Sequence, residues 1–111
     1  MANIIPDAFK SELLSGTHNF ANGGNSFKIA LYTDISGYST SSTTYSTTNE
    51  VSSSGTNYSA GGNALDSQAV SVASNTALVD FADEVFSSVT LSAVGAVIYN
   101  DTNSDKLVVV L

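Results

Sequence analysis

His18 is the only histidine of the chain, and a lone imidazole becomes catalytic only when a nucleophile and an orienting acid share its site. Its neighbours Thr17 and Asn19 form no nucleophile system, and no Gly-x-Ser-x-Gly elbow occurs. Just past a helix end, a histidine more often meets backbone carbonyls or caps the turn, and that is the expectation for His18. The run Asp101-x-Asn103-x-Asp105 opens like a calcium loop. Lys106 then stands where glycine is needed, and no glutamate closes the pattern. It reads as an ordinary turn between two strands, with no metal. Asp80, Asp83 and Glu84 gather around Phe81, and paired carboxylates can serve glycoside hydrolysis. Strand alternation over Val79-Asp80-Phe81 points Asp80 away from the phenylalanine, towards water. The pairs Gly23-Gly24 and Gly61-Gly62 lack the spacing and the downstream lysine of a phosphate loop and read as turns. Cysteine is absent, which removes disulfides, thiolate metal sites and thiol nucleophiles together. No catalytic residue, cofactor or metal is expected. The chain reads as non-enzymatic.

Charge narrows the partners. The formal net charge is −7, and the cations are Lys10, Lys28 and Lys106, with no arginine. Nucleic-acid backbones are held by clustered cations that displace counterions, so neither nucleic acid nor an acidic membrane surface is an expected partner. Charged residues make up 12% of the chain, about half of the roughly 25% usual in soluble domains. Ser, Thr and Asn must solvate the surface instead. Neutral polar groups are cheaper to desolvate than ions, and interface centres are depleted of charge. Such a surface suits either extensive protein contact or an uncharged monomer.

The elements that would position these groups are short. With 111 residues the chain has room for one domain and one core. Residues 7–15 predict a helix capped by Asp7 and stopped at Gly16, with Phe9 and Leu13 one turn apart on a docking face and Leu14 beside them. Lys10 and Glu12 point to solvent. Turn chemistry at Asn22-Gly23-Gly24-Asn25 launches a strand over Ser26–Tyr32, in which Phe27, Ile29 and Leu31 face a core and Lys28 and Ala30 a less buried side. Further strands are expected over 69–73, 76–81, 87–92, 95–99 and 106–111. Between Thr33 and Gly62 lies a Ser/Thr/Tyr-rich stretch too long for a hairpin turn, read as an extended arm or long loop presenting Tyr38 and Tyr45 for contact. The apolar run Leu107–Leu111 asks to be buried on both faces and reads as an incomplete strand, continued by more chain or completed by a partner. The start, Met1 to Pro6, is not expected to be a secretion signal, and no segment is long enough to span a membrane. The fold class predicted is mainly β: a single-domain antiparallel β-sandwich, jelly-roll-like, with a short N-terminal α-helix.

Four stretches carry a resemblance: Ala8-Phe9-Lys10-Ser11-Glu12-Leu13-Leu14-Ser15-Gly16-Thr17-His18-Asn19-Phe20, the strand Phe27–Tyr32, the run Thr48–Leu65 with its Asn49-Glu50-Val51 and Gly55-x-x-Tyr58-x-Ala60-Gly61-Gly62, and Gly95-Ala96-Val97-Ile98-Tyr99-Asn100. In this order they resemble small structural proteins of tailed bacteriophages, over nearly the whole chain. The resemblance implies a virion component without enzymatic activity, and relatives that continue past the apolar strand with an Asp-Phe-Gly-like stretch. It supplies no catalytic or metal residues.

The function expected is therefore that of a capsid decoration (cement) protein, bound to the major capsid protein or other virion proteins and assembled with itself, most simply as trimers that follow lattice symmetry. A net charge of −7 repels packaged DNA. The alternative is a tail, neck or fibre component that binds host-surface glycans through tyrosine, asparagine and hydroxyl groups. Candidate interface residues are Phe9, Leu13, Tyr38, Tyr45 and Tyr58.

Overall fold

The computed structural model describes residues 3–111. Its elements run in the order α1 (Asp7–Leu14), β1 (Phe27–Tyr32), β2 (Asn63–Leu65), β3 (Ala69–Ala73), β4 (Thr76–Asp80), β5 (Gly95–Asn100) and β6 (Lys106–Val110). Among the described residues the fold is mainly β, with two antiparallel sheets and one short helix. The larger sheet has the order β2-β1-β5-β6, and the smaller is the hairpin β3-β4.

The central strands set two faces. Ala30 pairs with Val97 and Lys28 with Tyr99, while Phe27 pairs with Asn100 and Ile29 with Ile98. Side chains alternate across a strand, so Ala30, Tyr32, Val97 and Tyr99 point to one side, and Phe27, Ile29 and Ile98 to the other. Both sides are packed. The first core joins Ala30, Tyr32, Ile35, Tyr38, Val97, Tyr99, Leu107 and Val110. The second joins Phe9, Phe20, Phe27, Leu65 and Val108, with Ile29, Phe81, Ile98 and Val109 against them. The expectation that Ala30 lies on the less buried side of β1 is corrected: Ala30 and Tyr32 are fully enclosed there. Tyrosine makes that face a core because its hydroxyl finds partners while its ring is buried.

The apolar run of β6 is divided between the cores by a register shift opposite Ile98/Tyr99. Leu107 and Val110 face the first core, whereas Val108 and Val109 both serve the second. An extra residue in one strand is what a β-bulge supplies. The outer edge of β6 is engaged too. Ile4 and Val110 exchange backbone bonds of 2.8 Å, and Leu107 N–H donates to the Thr43 carbonyl at 3.0 Å.

Several boundaries differ from those expected. Pro6, with φ −61° and ψ 145°, stands at the helix N-cap, and Asp7 is the first helical residue. Proline's fixed φ suits a helix start. Residues 87–92 form no strand. Val89 and Leu91 are half-buried between polar neighbours, which imitates strand alternation, but the segment is tied to the loop at Thr56 by a single backbone bond from Thr90 of 3.0 Å. The short strand β2 was not anticipated; Gly62 places it. A Cβ at Gly62 would stand 1.9 Å from the Ile29 carbonyl oxygen, and its φ is +80°, so only glycine lets the chain enter against β1.

The stretch from Thr33 to Gly62 does not reach away as an arm. It lies against the sheet, held by Val51 N–H to the Leu31 carbonyl, Tyr45 N–H to the Asp105 carbonyl and Asp7 N–H to the Thr40 carbonyl, at 2.8–2.9 Å. It is the lid of the first core.

Candidate interaction surface and the polar clusters beneath it

Three features bring chemistry-bearing or sticky residues together. The first is a hydroxyl network under the lid. Tyr32 donates to the Ser46 carbonyl at 2.6 Å, and Tyr38 donates to the Tyr32 hydroxyl at 2.9 Å. Glu50 accepts from the hydroxyls of Tyr45 and Tyr58, the latter at 2.6 Å, and from Gly61 N–H at 2.7 Å. Tyr58 also accepts from Leu31 N–H at 3.0 Å, and Tyr99 donates to the Gly61 carbonyl at 2.6 Å. Burial pushes the hydroxyls of Tyr32, Tyr45, Tyr58 and Tyr99 well above the usual tyrosine range, and neighbouring tyrosines and carboxylates push the same way. These groups are donors held protonated. They fasten the lid to the sheet.

That arrangement buries two expected contact residues and half-buries a third. Tyr38 is 9% exposed and Tyr58 is 3% exposed. Tyr45 is half-buried and stacks on Tyr99 with ring centroids 4.5 Å apart. The neighbouring surface depression, lined by Asp34, Gly37, Tyr38, Ser46, Thr48 and Asn49, encloses about 160 Å³.

The second feature is a knot at the other end of the sheet. His18 is enclosed by the rings of Phe9, Phe20 and Phe27. Its Nε2 lies 2.9 Å from Glu12 Oε1 and its Nδ1 lies 3.0 Å from Asn100 Nδ2. His18 thus meets side chains instead of the carbonyls expected. Glu12 is partly buried, not turned to water, and its second oxygen lies 3.5 Å from Lys106 Nζ. Asn103 donates to the Thr17 carbonyl at 2.6 Å, so the Asp101–Asp105 turn serves as an anchor for the helix exit. Among the described residues no group of three or more His, Cys, Asp or Glu is placed to hold a metal ion, and no helix is long and apolar enough to cross a membrane. Asp80 faces solvent, as its alternation with Phe81 predicts. Glu84 accepts from Asn63 Nδ2 at 2.8 Å.

The third feature is a groove of about 440 Å³. Ile5, Phe9, Leu13 and Phe20 line it on the helix side, Val108 and Val109 on the sheet, and Val70, Ala77, Leu78 and Val79 on the hairpin. Every one of these side chains is apolar. Two of the expected contact residues meet here: Phe9, 8% exposed, and Leu13, 45% exposed. The hairpin residues escaped notice in the sequence, since alternation over 69–80 predicts strands without saying whether their apolar side finds a core.

The hairpin itself is the anomaly. All residues of β3 and β4 are exposed, with Val70 at 56% and Val72 at 73%. The register Val70↔Val79 and Val72↔Ala77 puts these four on one face, and puts Asp80, Ser71, Leu78 and Thr76 on the other. A two-stranded hairpin is marginally stable alone. This one is tied down at its base, where Gln68 Nε2 donates to the Asn25 carbonyl at 2.7 Å and Phe81 packs on Phe20 and Phe27. Its tip turns on Ser74 and Asn75 with φ of 49° and 65°, the two left-handed residues that a tight hairpin turn needs.

Comparison with family models, with curated proteins and with solved structures finds no match.

Proposed function

We propose that this chain is a non-catalytic assembly protein, made to adhere to copies of itself and to other proteins of a particle. The observation that carries the proposal is the uncharged groove beside a hairpin whose aliphatic face has no cover within the chain. Isolated exposed apolar residues are commonplace, but a contiguous apolar surface marks a contact site. The polar clusters support the same reading. The tyrosines, Glu50 and His18 are engaged in bonds that fasten one segment to another, which is the work of a rigid scaffold.

The resemblance to structural proteins of tailed phages supports a virion as the particle, with capsid decoration as the role. A decoration protein works by burying apolar and neutral polar surface across seams between capsid subunits, so that separating them re-exposes that surface to water. On this reading the jelly-roll-like sandwich expected from the sequence is completed between chains, the open side of the second core receiving a layer from a neighbour.

The test is the copy number of the chain, by quantitative mass spectrometry, in purified particles of the phage that encodes it. Decoration of a lattice requires copies on the order of hundreds, one for each equivalent position. A handful would place the chain at the neck or tail tip, and absence would remove the virion reading.

A further inference from the structure

We infer that Asn22 and Gly23 form a self-modifying site, at which the asparagine amide is lost and the loop that clasps the base of the β3–β4 hairpin is lengthened. The chemistry needs no partner and is independent of the proposed assembly role.

The reaction belongs to the pair and to water. The Gly23 nitrogen gives its proton to hydroxide and attacks Asn22 Cγ. A nitrogen–carbon bond forms, the Cγ–Nδ2 bond breaks, and the amide leaves as ammonia after taking a proton from water. Water then opens the cyclic imide at either carbonyl. One opening leaves aspartate; the other leaves an isoaspartyl link, whose main chain runs through Cβ.

Three observations single out this asparagine. First, both reacting groups are free. Asn22 and Gly23 are exposed, and among the described residues neither the Asn22 side chain nor the Gly23 N–H enters a hydrogen bond. Second, the ring has room. A Cβ at Gly23 would meet nothing within 4 Å, and glycine sets no side chain of its own beside the attacking nitrogen. Third, the asparagines that precede serine are restrained. Asn25 Oδ1 accepts from Asn19 N–H, Asn100 and Asn103 at 2.8–3.1 Å. The nitrogen that would attack Asn25, that of Ser26, donates to Thr102 Oγ1 at 2.8 Å. Asn103 Nδ2, the group that would leave, donates to the Thr17 carbonyl at 2.6 Å.

The place of the loop gives the change a consequence. Gln68, at the entry to β3, is buried, and its Nε2 donates to the carbonyls of Ala21 and Asn25 at 3.2 and 2.7 Å. Between those carbonyls the Gly24 N–H closes a turn onto Ala21 at 2.8 Å. An isoaspartyl link inserts a methylene inside that turn. Gly24 packs too closely to absorb it, since a Cβ there would stand 2.6 Å from the Asn19 carbonyl oxygen. The clasp on Gln68 therefore loosens, and the hairpin gains freedom irreversibly as the chain ages. A carboxylate also joins a chain whose formal net charge is already −7.

Mass spectrometry of the full chain, aged at mildly acidic and mildly alkaline pH and then cut after lysine, tests the inference. Residues 11–28 form one fragment, in which electron-transfer fragmentation resolves Asn19, Asn22 and Asn25 and separates isoaspartate from aspartate. The expected result is conversion at Asn22, mostly to isoaspartate and faster in alkali. It should outpace Asn25 and Asn103 by about tenfold or more, a barrier difference the size of one hydrogen bond. In guanidinium that lead shrinks while Asn22 keeps its rate. Amide exchange over Gln68–Asp80 is expected to quicken about threefold or more in the aged chain. It should not quicken in fresh Asn22→Asp, which carries the charge without the methylene, or in aged Asn22→Ser, which has no amide to lose. An Asn22 that stays intact, or reacts about tenfold slower folded than in guanidinium, overturns the inference. So does isoaspartate that leaves hairpin exchange unchanged, or an equal quickening in Asn22→Asp.

Discussion

His18 and Asn100 stand 82 positions apart in the sequence and meet at 3.0 Å, the asparagine Nδ2 donating to the ring Nδ1. The direction of that bond follows from its surroundings. Asn100 Oδ1 accepts from Thr102 N–H at 3.1 Å and Asn103 N–H at 3.2 Å, which leaves the amide nitrogen for His18 and for Asn25 Oδ1. Nδ1 must then offer its lone pair, and the ring proton sits on Nε2, pointed at Glu12. Nitrogen chemical shifts of the imidazole are expected to show the Nε2–H tautomer. Asn100→Asp would set a carboxylate oxygen against the Nδ1 lone pair and Asn25 Oδ1, costing about 1–3 kcal/mol in urea unfolding; an unchanged midpoint would contradict this network.

Glu50 is the matching fastener at the lid. Its carboxylate takes three donors, Tyr45, Tyr58 and Gly61 N–H. Glu50→Ala strands them and is expected to cost about 1.5–3 kcal/mol, the range for hydrogen bonds to a charged group. Glu50→Gln keeps one acceptor and costs less, since a tyrosine hydroxyl can turn to accept from the new amide. Thermal unfolding gives the order, and faster amide exchange at Leu31, which donates to Tyr58, locates the damage.

Alkali should loosen the same lid. The hydroxyls of Tyr32, Tyr45, Tyr58 and Tyr99 are held above the usual tyrosine value of 10.0, so above pH 10 the unfolded chain binds fewer protons than the folded one. Stability then falls as pH rises. It is fully present below the unfolded value and is lost towards the raised folded values. Tyrosinate absorbance is expected to appear cooperatively with unfolding. Stepwise ionisation of the folded chain at ordinary tyrosine values would contradict the burial.

Two glycines with nearly equal φ separate conformation from contact. Gly16 has φ +78° with nothing near its missing Cβ, whereas at Gly62, φ +80°, that Cβ would strike the Ile29 carbonyl. Gly16→Ala should cost about 1–2 kcal/mol, the left-handed penalty alone. Gly62→Ala should cost clearly more, because β1 and β2 must part. Equal urea midpoints would show that β2 is not seated as described.

Much of the framework was legible in the sequence, because local chemistry decides it. Turns at Asn22–Asn25 and Ser74–Asn75, the alternation of Phe27, Ile29 and Leu31, and the apolar run of β6 each announce their element. What stayed hidden depends on distant partners. Tyr38 and Tyr58 look like contact residues in a hydroxyl-rich stretch until Ser46, Leu31 and Glu50 are seen to satisfy their hydroxyls. The strand expected at 87–92 had the right period, but its backbone is joined at Thr90 to a loop carbonyl, that of Thr56, and not to a strand. The hairpin posed the converse difficulty: its alternation is correct, and nothing local reveals that its aliphatic face stands open.

On the proposed function, protein covers this open face. Amide hydrogen exchange of the full chain, dilute and concentrated, reads it most directly. Ala69–Asp80, together with Ile5 and Leu13 at the groove, is expected to gain protection on concentration while the sheet around Tyr32 and Val97 is unchanged. Equal exchange across the hairpin at every concentration, and equally in the presence of intact particles, would contradict it.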